Sequence, residues 1–135
     1  MIAQKIIFER PPIFDEARAQ FGPGVERAIF SWGAVIYNPG HISIPRSLVV
    51  HEAVHGERQL KADIECWWRS YLDGHQFRLQ EEIPAHQAEF RFLQTQGNRQ
   101  ERRAALAAIA KRLSGPLYGH LIALNQAKQI LRGAA

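Results

Sequence analysis

Two histidines and a glutamate lie within one short segment, which reads His51-Glu52-Ala53-Val54-His55. Side chains four positions apart lie on the same face of an α-helix, so the imidazoles of His51 and His55 can converge on one metal ion. Glu52 is rotated by about 100° from His51 around the helix axis, because a helix has roughly 3.6 residues per turn. Its carboxylate then reaches past the ion to a water molecule, where a general base belongs. The spacing therefore predicts a metal-binding helix that also carries a base.

The residues around this motif indicate a buried helix rather than an exposed turn with two incidental histidines. Leu48, Val49, Val50, Ala53 and Val54 make the segment largely apolar. A buried imidazole needs a polar partner or a metal ion. We therefore interpret the two histidines as metal ligands.

A catalytic zinc site needs a third protein ligand, with a water molecule in the remaining position. The chain has a single cysteine, Cys66, so a zinc ion here must be bound by histidine and carboxylate. The candidates for the third ligand all lie downstream of the motif, and they are His75, Glu81, Glu82, His86, Glu89 and His120.

The composition predicts one soluble globular domain over residues 1–135, with 46% hydrophobic and 22% charged residues. The lone Cys66 excludes an intramolecular disulfide and is compatible with a reducing compartment. The first twelve residues include Lys5, Glu9 and Arg10 and lack the apolar core of a signal peptide. No run approaches the ~18 apolar residues of a membrane span. We therefore expect a cytoplasmic protein without a membrane partner.

Hydrophobic periodicity and turn residues predict an α+β fold in which strands come first and a bundle of helices follows. Strands are expected at residues 4–8 and 25–37. The turn Asn38-Pro39-Gly40 should then lead into a second hairpin arm at residues 41–44. Helices are expected, in chain order, at residues 13–21, 46–61, 64–73, 82–96, 99–113 and 117–131.

Glycine 56 lies inside the helix that carries the metal motif. Glycine in a helix interior costs about 1 kcal/mol relative to alanine. We therefore expect that Gly56 is there for close packing behind the metal.

The chain resembles the zincin metallopeptidases of the gluzincin type in two segments. These are the His-Glu-x-x-His motif at residues 51–55 and an acidic stretch at residues 81–86. In gluzincins, a glutamate on a later helix supplies the third zinc ligand, often within the pattern Glu-x-x-Ala. Glu82 and Ala85 match that pattern, and the resemblance covers about residues 28–90.

The resemblance implies a small zincin-like domain that hydrolyses peptide bonds with a zinc cofactor. It assigns His51, His55 and Glu82 as zinc ligands and Glu52 as the general base that takes the water proton and passes it to the leaving amine. It also implies that an extended peptide or protein substrate pairs with the edge of a strand before the metal helix, formed by residues 28–37 or 41–44.

Two features differ from the usual gluzincin pattern. An acidic or amide residue normally follows the alanine as a partner of the ligands, whereas this chain has His86 there, with Glu89 one turn later. Pro84 would remove a helical hydrogen bond, so either the helix begins near Glu82 or a kink aims its carboxylate. Glu81, Glu89 and His86, in that order, are therefore alternatives for the third ligand.

The oxyanion of the reaction needs one further hydrogen-bond donor, which similar enzymes supply as a tyrosine or histidine from a later segment. Tyr118 and His120 are the candidates for this catalytic role, with Tyr71 behind them. The alternative for Tyr118 is an aromatic residue at the rim of a helix start. His41 and His75 are expected to be ordinary surface or loop histidines.

The size of the chain and its charge leave other interpretations open. Because 135 residues leave no room for a second domain that closes a cleft, the enzyme would act as a homodimer, on a flexible peptide, or with a protein partner. A metal-binding protein without hydrolytic activity is the nearest alternative. The net charge is +4, and basic residues crowd residues 99–112. That run indicates the solvated face of a helix. The alternative is a module that binds nucleic acid or a regulatory partner.

Overall fold

The computed structural model describes residues 3–133, which contain six α-helices, two short 3-10 helices and three β-strands. The chain divides into two compact units, Met1–Asp73 and Gly74–Ala135. The predicted α+β class is confirmed, with helices predominating. The zincin-like architecture and the single domain over residues 1–135 stay predictions. Within the described residues, no helix is both long enough and apolar enough to cross a membrane.

The strands of the first unit form one small mixed sheet. They are β1 (Lys5–Ile7), β2 (Phe30–Trp32) and β3 (Val35–Tyr37), in the order β1-β3-β2. β1 pairs with β3 in parallel, and β2 pairs with β3 in antiparallel orientation. β1 falls within the segment that the sequence predicted to be a strand.

The single strand predicted over residues 25–37 is wrong. A 3-10 helix occupies Pro23–Arg27, and the chain later reverses direction between β2 and β3 at Gly33 and Ala34. Gly33 is the first residue of a tight hairpin turn, and its φ is +59°. Glycine adopts this positive φ without steric cost because it has no Cβ atom. The apolar residues on both sides of this lone glycine read as one continuous strand.

The predicted hairpin arm at residues 41–44 is also wrong, although the turn before it is present. The His41 N–H donates to the Asn38 carbonyl oxygen at 3.2 Å. The Asn38 side chain then accepts from the Ile42 N–H at 3.0 Å and donates to the Ile42 carbonyl oxygen at 2.9 Å. These bonds use the backbone groups that strand pairing would need, so residues 41–44 form a loop.

Three helices complete the first unit, namely α1 (Phe14–Phe21), α2 (Arg46–Lys61) and α3 (Ile64–Asp73). α2 and α3 begin and end at the predicted residues. Asp63 precedes α3 and accepts a hydrogen bond from the Cys66 N–H at 3.0 Å, and this bond lowers the pKa of the Asp63 carboxyl. The buried apolar core of this unit comprises Phe14, Ala17, Val25, Phe30, Ile36, Ala53, Trp67, Trp68 and Tyr71.

The second unit is helical and has its own apolar core. It contains α4 (His75–Gln94), α5 (Arg99–Leu113), a 3-10 helix (Pro116–Tyr118) and α6 (Leu124–Arg132). α5 has the predicted bounds. The buried residues that hold these helices together are Leu79, Phe90, Ile109, Ala110, Leu113, Tyr118, Ala127 and Leu131.

Two helices of the second unit differ from the prediction. α4 begins at His75 rather than near residue 82, and Pro84 lies inside it. The long predicted helix over residues 117–131 is wrong, because α6 starts only at Leu124. Gly119 and His120 have φ values of +73° and +51°, which are incompatible with a right-handed helix at those positions.

Candidate metal centre

The three residues of the metal motif lie on α2 and are buried. The exposed fractions are 5% for His51, 8% for Glu52 and 4% for His55. The ring centroids of the two histidines are 4.9 Å apart, with 73° between the ring planes. The predicted buried helix and the shared face of the two imidazoles are therefore confirmed, while metal binding itself stays a prediction.

Hydrogen bonds from the β2–β3 hairpin fix the position and rotation of α2. The Ser31 hydroxyl donates to the backbone carbonyl oxygen of Glu52 at 3.0 Å. One turn after the second histidine, Gln59 accepts from the Gly33 N–H at 2.8 Å and donates to the Ser31 carbonyl oxygen at 3.1 Å. Gln59 and Ser31 are both buried, so breaking these bonds would leave polar groups without water. The hairpin therefore holds the motif residues in a defined orientation.

The same hydrogen bonds bear on the predicted substrate-binding edge. The Ser31 carbonyl oxygen of β2 accepts from Gln59 and also from the Trp68 indole N–H at 2.9 Å. An extended substrate that pairs with β2 would therefore have to use other backbone groups. The alternative edge at residues 41–44 is not a strand.

Gly56 allows α2 to approach the hairpin turn closely. A Cβ atom at this position would lie 2.1 Å from the Gly33 carbonyl oxygen and 3.1 Å from Nε2 of Gln4. The first distance is far inside van der Waals contact. The expected close packing at Gly56, the residue that directly follows His55, is confirmed, and its place behind a metal ion stays a prediction.

Aromatic side chains of α3 pack against the second histidine. The Trp67 ring centroid lies 5.3 Å from that of His55, and the Tyr71 centroid lies 6.5 Å from it, both in edge-to-face geometry. Trp67 and Tyr71 are themselves stacked at 5.0 Å. The contact of these aromatics with His55 was not predicted from the sequence. The sequence feature that could have indicated this contact is the helical spacing of Trp67 and Tyr71 on α3, which directly follows the metal helix.

Three candidates for the third ligand lie one helical turn apart on α4. Glu82, His86 and Glu89 follow one another at helical spacings of four and three residues, and all three are buried, as is Glu81. Nδ1 of His86 lies 2.7 Å from the backbone carbonyl oxygen of Glu82 and 3.4 Å from its Oε1 atom. Because a carbonyl oxygen only accepts, Nδ1 must carry the proton, and in the neutral ring Nε2 then carries the lone pair.

Glu89 is engaged by a basic residue of α5. Nη2 of Arg112 lies 2.6 Å from Oε2 of Glu89, and the carboxylate end of this pair is buried. A buried carboxylate that neutralises an arginine is less suited to neutralise a metal ion as well. Glu89 and His86 nonetheless stay among the buried residues that could hold a metal ion.

The candidates for the oxyanion donor lie in different surroundings. Tyr118 is buried in the core of the second unit rather than at a rim, with its ring centroid 6.0 Å from that of His86. His120 is exposed, and its Nδ1 atom lies 3.0 Å from the Ser114 carbonyl oxygen. Tyr71 is buried beside His55 in the first unit. Their catalytic roles stay predictions.

The two histidines that were expected to be ordinary surface residues are exposed. His41 lies in the loop after β3, and His75 is the first residue of α4. That expectation is confirmed for both.

The predicted ligands have the chemistry that a zinc ion requires. His51, His55 and Glu82 each offer one ligand atom, an imidazole nitrogen or a carboxylate oxygen, and each is buried. Two histidines and one carboxylate form a ligand set of catalytic zinc sites, in which the fourth position stays open for water. The residues present therefore fit the predicted ion.

Comparisons with known proteins give no independent assignment. The chain matches no protein-family model, no curated protein and no solved structure. The functional interpretation therefore rests on the motif and on the side chains around it.

Proposed function

We propose that the protein is a zinc-dependent metallopeptidase, in which His51, His55 and Glu82 bind zinc and Glu52 is the general base. The observation that carries this proposal is the pair of buried imidazoles on one face of α2, with ring centroids 4.9 Å apart. A buried carboxylate directly follows the first of them in the chain. The resemblance to gluzincins provides the assignment to peptide hydrolysis.

The proposed ligand set is supported residue by residue. The two histidines are held by α2, which the hairpin anchors through Gln59. Glu82 is supported by its burial and by its match to Glu-x-x-Ala. When bound, a zinc ion lowers the pKa of a coordinated water towards ~7 and polarises a substrate carbonyl.

Glu52 performs the proton transfers in this proposal. Its carboxylate takes the proton of the attacking water and delivers it to the nitrogen of the leaving amine. The hydrogen bond from the Ser31 hydroxyl to the Glu52 carbonyl oxygen fixes the backbone from which this side chain extends. Tyr118, His120 and Tyr71 are the candidate donors to the oxyanion.

Glu52 also distinguishes the proposal from a metal-binding protein without activity. A purely structural zinc site favours four protein ligands and has no use for a carboxylate at this position of the motif. The substrate in this proposal is a peptide or a protein, and a homodimer or a protein partner is part of the proposal.

The basic residues of α5 do not require a nucleic acid as partner. Arg112 pairs with Glu89, and Arg102 donates to the Gly97 carbonyl oxygen at 3.0 Å. Arg99, Arg103 and Lys111 are exposed, as expected for a solvated helix face. These residues are therefore accounted for by local contacts and by solvation.

The proposal is tested by hydrolysis of an internally quenched peptide library with the zinc-loaded protein and its Glu52→Gln variant. The amide is close in size to the carboxylate but cannot accept the proton, so we expect zinc content to be unchanged and hydrolysis to fall by at least about 100-fold. Hydrolysis at the wild-type rate in Glu52→Gln would remove Glu52 as the base. Hydrolysis that is insensitive to a zinc chelator would point to a contaminating peptidase.

A further inference from the structure

We propose that His86 is a positioning residue that orients Glu82 through its Nδ1–H group, an inference that rests on the proposed role of Glu82 as a zinc ligand. His86 occupies the place where gluzincins usually have an acidic or amide partner of the ligands. The contacts of its ring indicate what it does there instead.

One ring nitrogen of His86 faces two oxygen atoms of the same residue. Nδ1 lies 2.7 Å from the Glu82 backbone carbonyl oxygen and 3.4 Å from Oε1 of its carboxylate. The short contact to the carbonyl oxygen requires the proton on Nδ1. The same N–H therefore holds the backbone of Glu82 through a hydrogen bond, and it lies near Oε1, which a positively polarised N–H attracts.

The turn of α4 that contains these residues needs such a restraint. Pro84 lies inside the helix, and its ring nitrogen has no hydrogen to donate to the carbonyl oxygen one turn earlier, at Gln80. The helix therefore lacks one backbone hydrogen bond beside Glu82. The bond from His86 adds an interaction at the same turn, where a helix with an internal proline is most easily deformed.

The His86 ring is itself held by the core of the second unit. It is 1% exposed, and the Tyr118 ring packs against it edge-to-face with centroids 6.0 Å apart. Tyr118 belongs to the apolar core of that unit. Tyr118 thus holds the His86 ring in place, and the ring in turn holds Glu82. Side chains that hydrogen-bond to metal ligands without touching the metal orient those ligands in the same way in other metal sites.

Two substitutions separate this role from direct coordination by His86. Asparagine places its side-chain N–H₂ near the position of Nδ1, whereas glutamine places its amide near the position of Nε2. We therefore expect His86→Asn to keep zinc affinity within about threefold of the wild type. His86→Gln and His86→Leu should bind zinc about 10- to 100-fold more weakly, the usual cost of losing an outer partner of a ligand.

The measurement is competition for zinc against a chromophoric chelator, made on variants whose thermal unfolding matches that of the wild type. Retained affinity in His86→Gln together with lost affinity in His86→Asn would overturn the inference and assign Nε2 as a ligand. Equal affinity in all four proteins would overturn it as well. Zinc that fails to bind the wild type would instead refute the proposed function, so the two failures are distinguishable.

A second readout needs neither zinc nor a substitution. Long-range ¹H–¹⁵N correlation spectra of the metal-free protein report which ring nitrogen of His86 carries the proton. The inference predicts a proton on Nδ1. Protonation at Nε2 alone would contradict the bond to the Glu82 carbonyl oxygen and overturn the inference, even if the variants failed to fold.

Discussion

The chemistry that we propose depends, at the scale of single residues, on polar side chains that the protein keeps away from water. His51, Glu52 and His55 are all buried on α2, and Glu82 is buried on α4. Burial strengthens electrostatic interactions and excludes bulk water from a reacting group. Buried titratable groups of this kind are typical of functional sites.

The sequence predicted the two histidines and Glu52 because their relation is local. Four residues of helix bring the imidazoles to one face whatever the rest of the fold is. The third ligand could not be assigned in the same way, because Glu82 lies far away in the chain and its neighbours include three other candidate side chains. The structure adds the ion pair of Glu89 and the hydrogen bond of His86, neither of which has a sequence signature.

Replacement of Glu82 tests the third ligand. We expect Glu82→Ala to weaken zinc binding by more than the ~100-fold that loss of an outer partner can cost, because a direct ligand is removed. Glu81→Ala is the matched control, since Glu81 is buried on the same helix but is rotated by about 100° from Glu82. The measurement is the zinc dissociation constant. Weak binding in Glu81→Ala with wild-type binding in Glu82→Ala would transfer the ligand role to Glu81.

At the scale of elements, the metal helix is positioned by the β2–β3 hairpin. Gln59 and Ser31 supply the hydrogen bonds, and Gly56 allows the turn at Gly33 to approach the helix. α2, α3 and α5 were predictable to the residue. Pro45 opens the first, Asp63 caps the second, and Asn98 begins the third with a capping box.

The hairpin and the end of the chain were not predictable because their signals were weak or conflicting. In the sequence, the only turn residue between β2 and β3 is Gly33, which lies within an apolar run. The helix predicted from residue 117 onwards is interrupted by Gly119 and by His120, a non-glycine residue with positive φ. Helical periodicity does not reveal a positive φ at a non-glycine residue. That backbone conformation depends on local contacts, such as the contact of the His120 ring with the Ser114 carbonyl oxygen.

The close approach at Gly56 gives a prediction for stability. Gly56→Ala places a Cβ atom 2.1 Å from the Gly33 carbonyl oxygen, so the helix or the hairpin must move. We expect the free energy of unfolding to fall by about 1–3 kcal/mol, the usual cost of overpacking, despite the higher helix propensity of alanine. Denaturant titration measures this change.

Gly24→Ala is the control for that experiment. Within the described part of the chain, no heavy atom beyond Gly24 and its two chain neighbours lies within 4 Å of a Cβ atom placed at Gly24. Its stability should therefore stay within about 0.5 kcal/mol of the wild type, as for most surface substitutions. If Gly56→Ala were as stable as Gly24→Ala, the hairpin would not constrain α2 in the way we describe.

At the scale of the whole molecule, the chain builds two units with separate cores. The sheet and α1–α3 form the first, and α4–α6 form the second. Composition and periodicity predicted the α+β class, but not the division at residues 73–74, because a single glycine there reads as an ordinary helix end.

The central claim is that this protein binds one zinc ion through the motif on α2. The most direct test is elemental analysis of protein purified without an affinity tag, beside His51→Ala prepared identically. We predict about one zinc per chain in the wild type and loss of that zinc in the variant, because the removed imidazole is a direct ligand. Absence of zinc from both proteins, with no binding when zinc is added to the wild type, would contradict the claim.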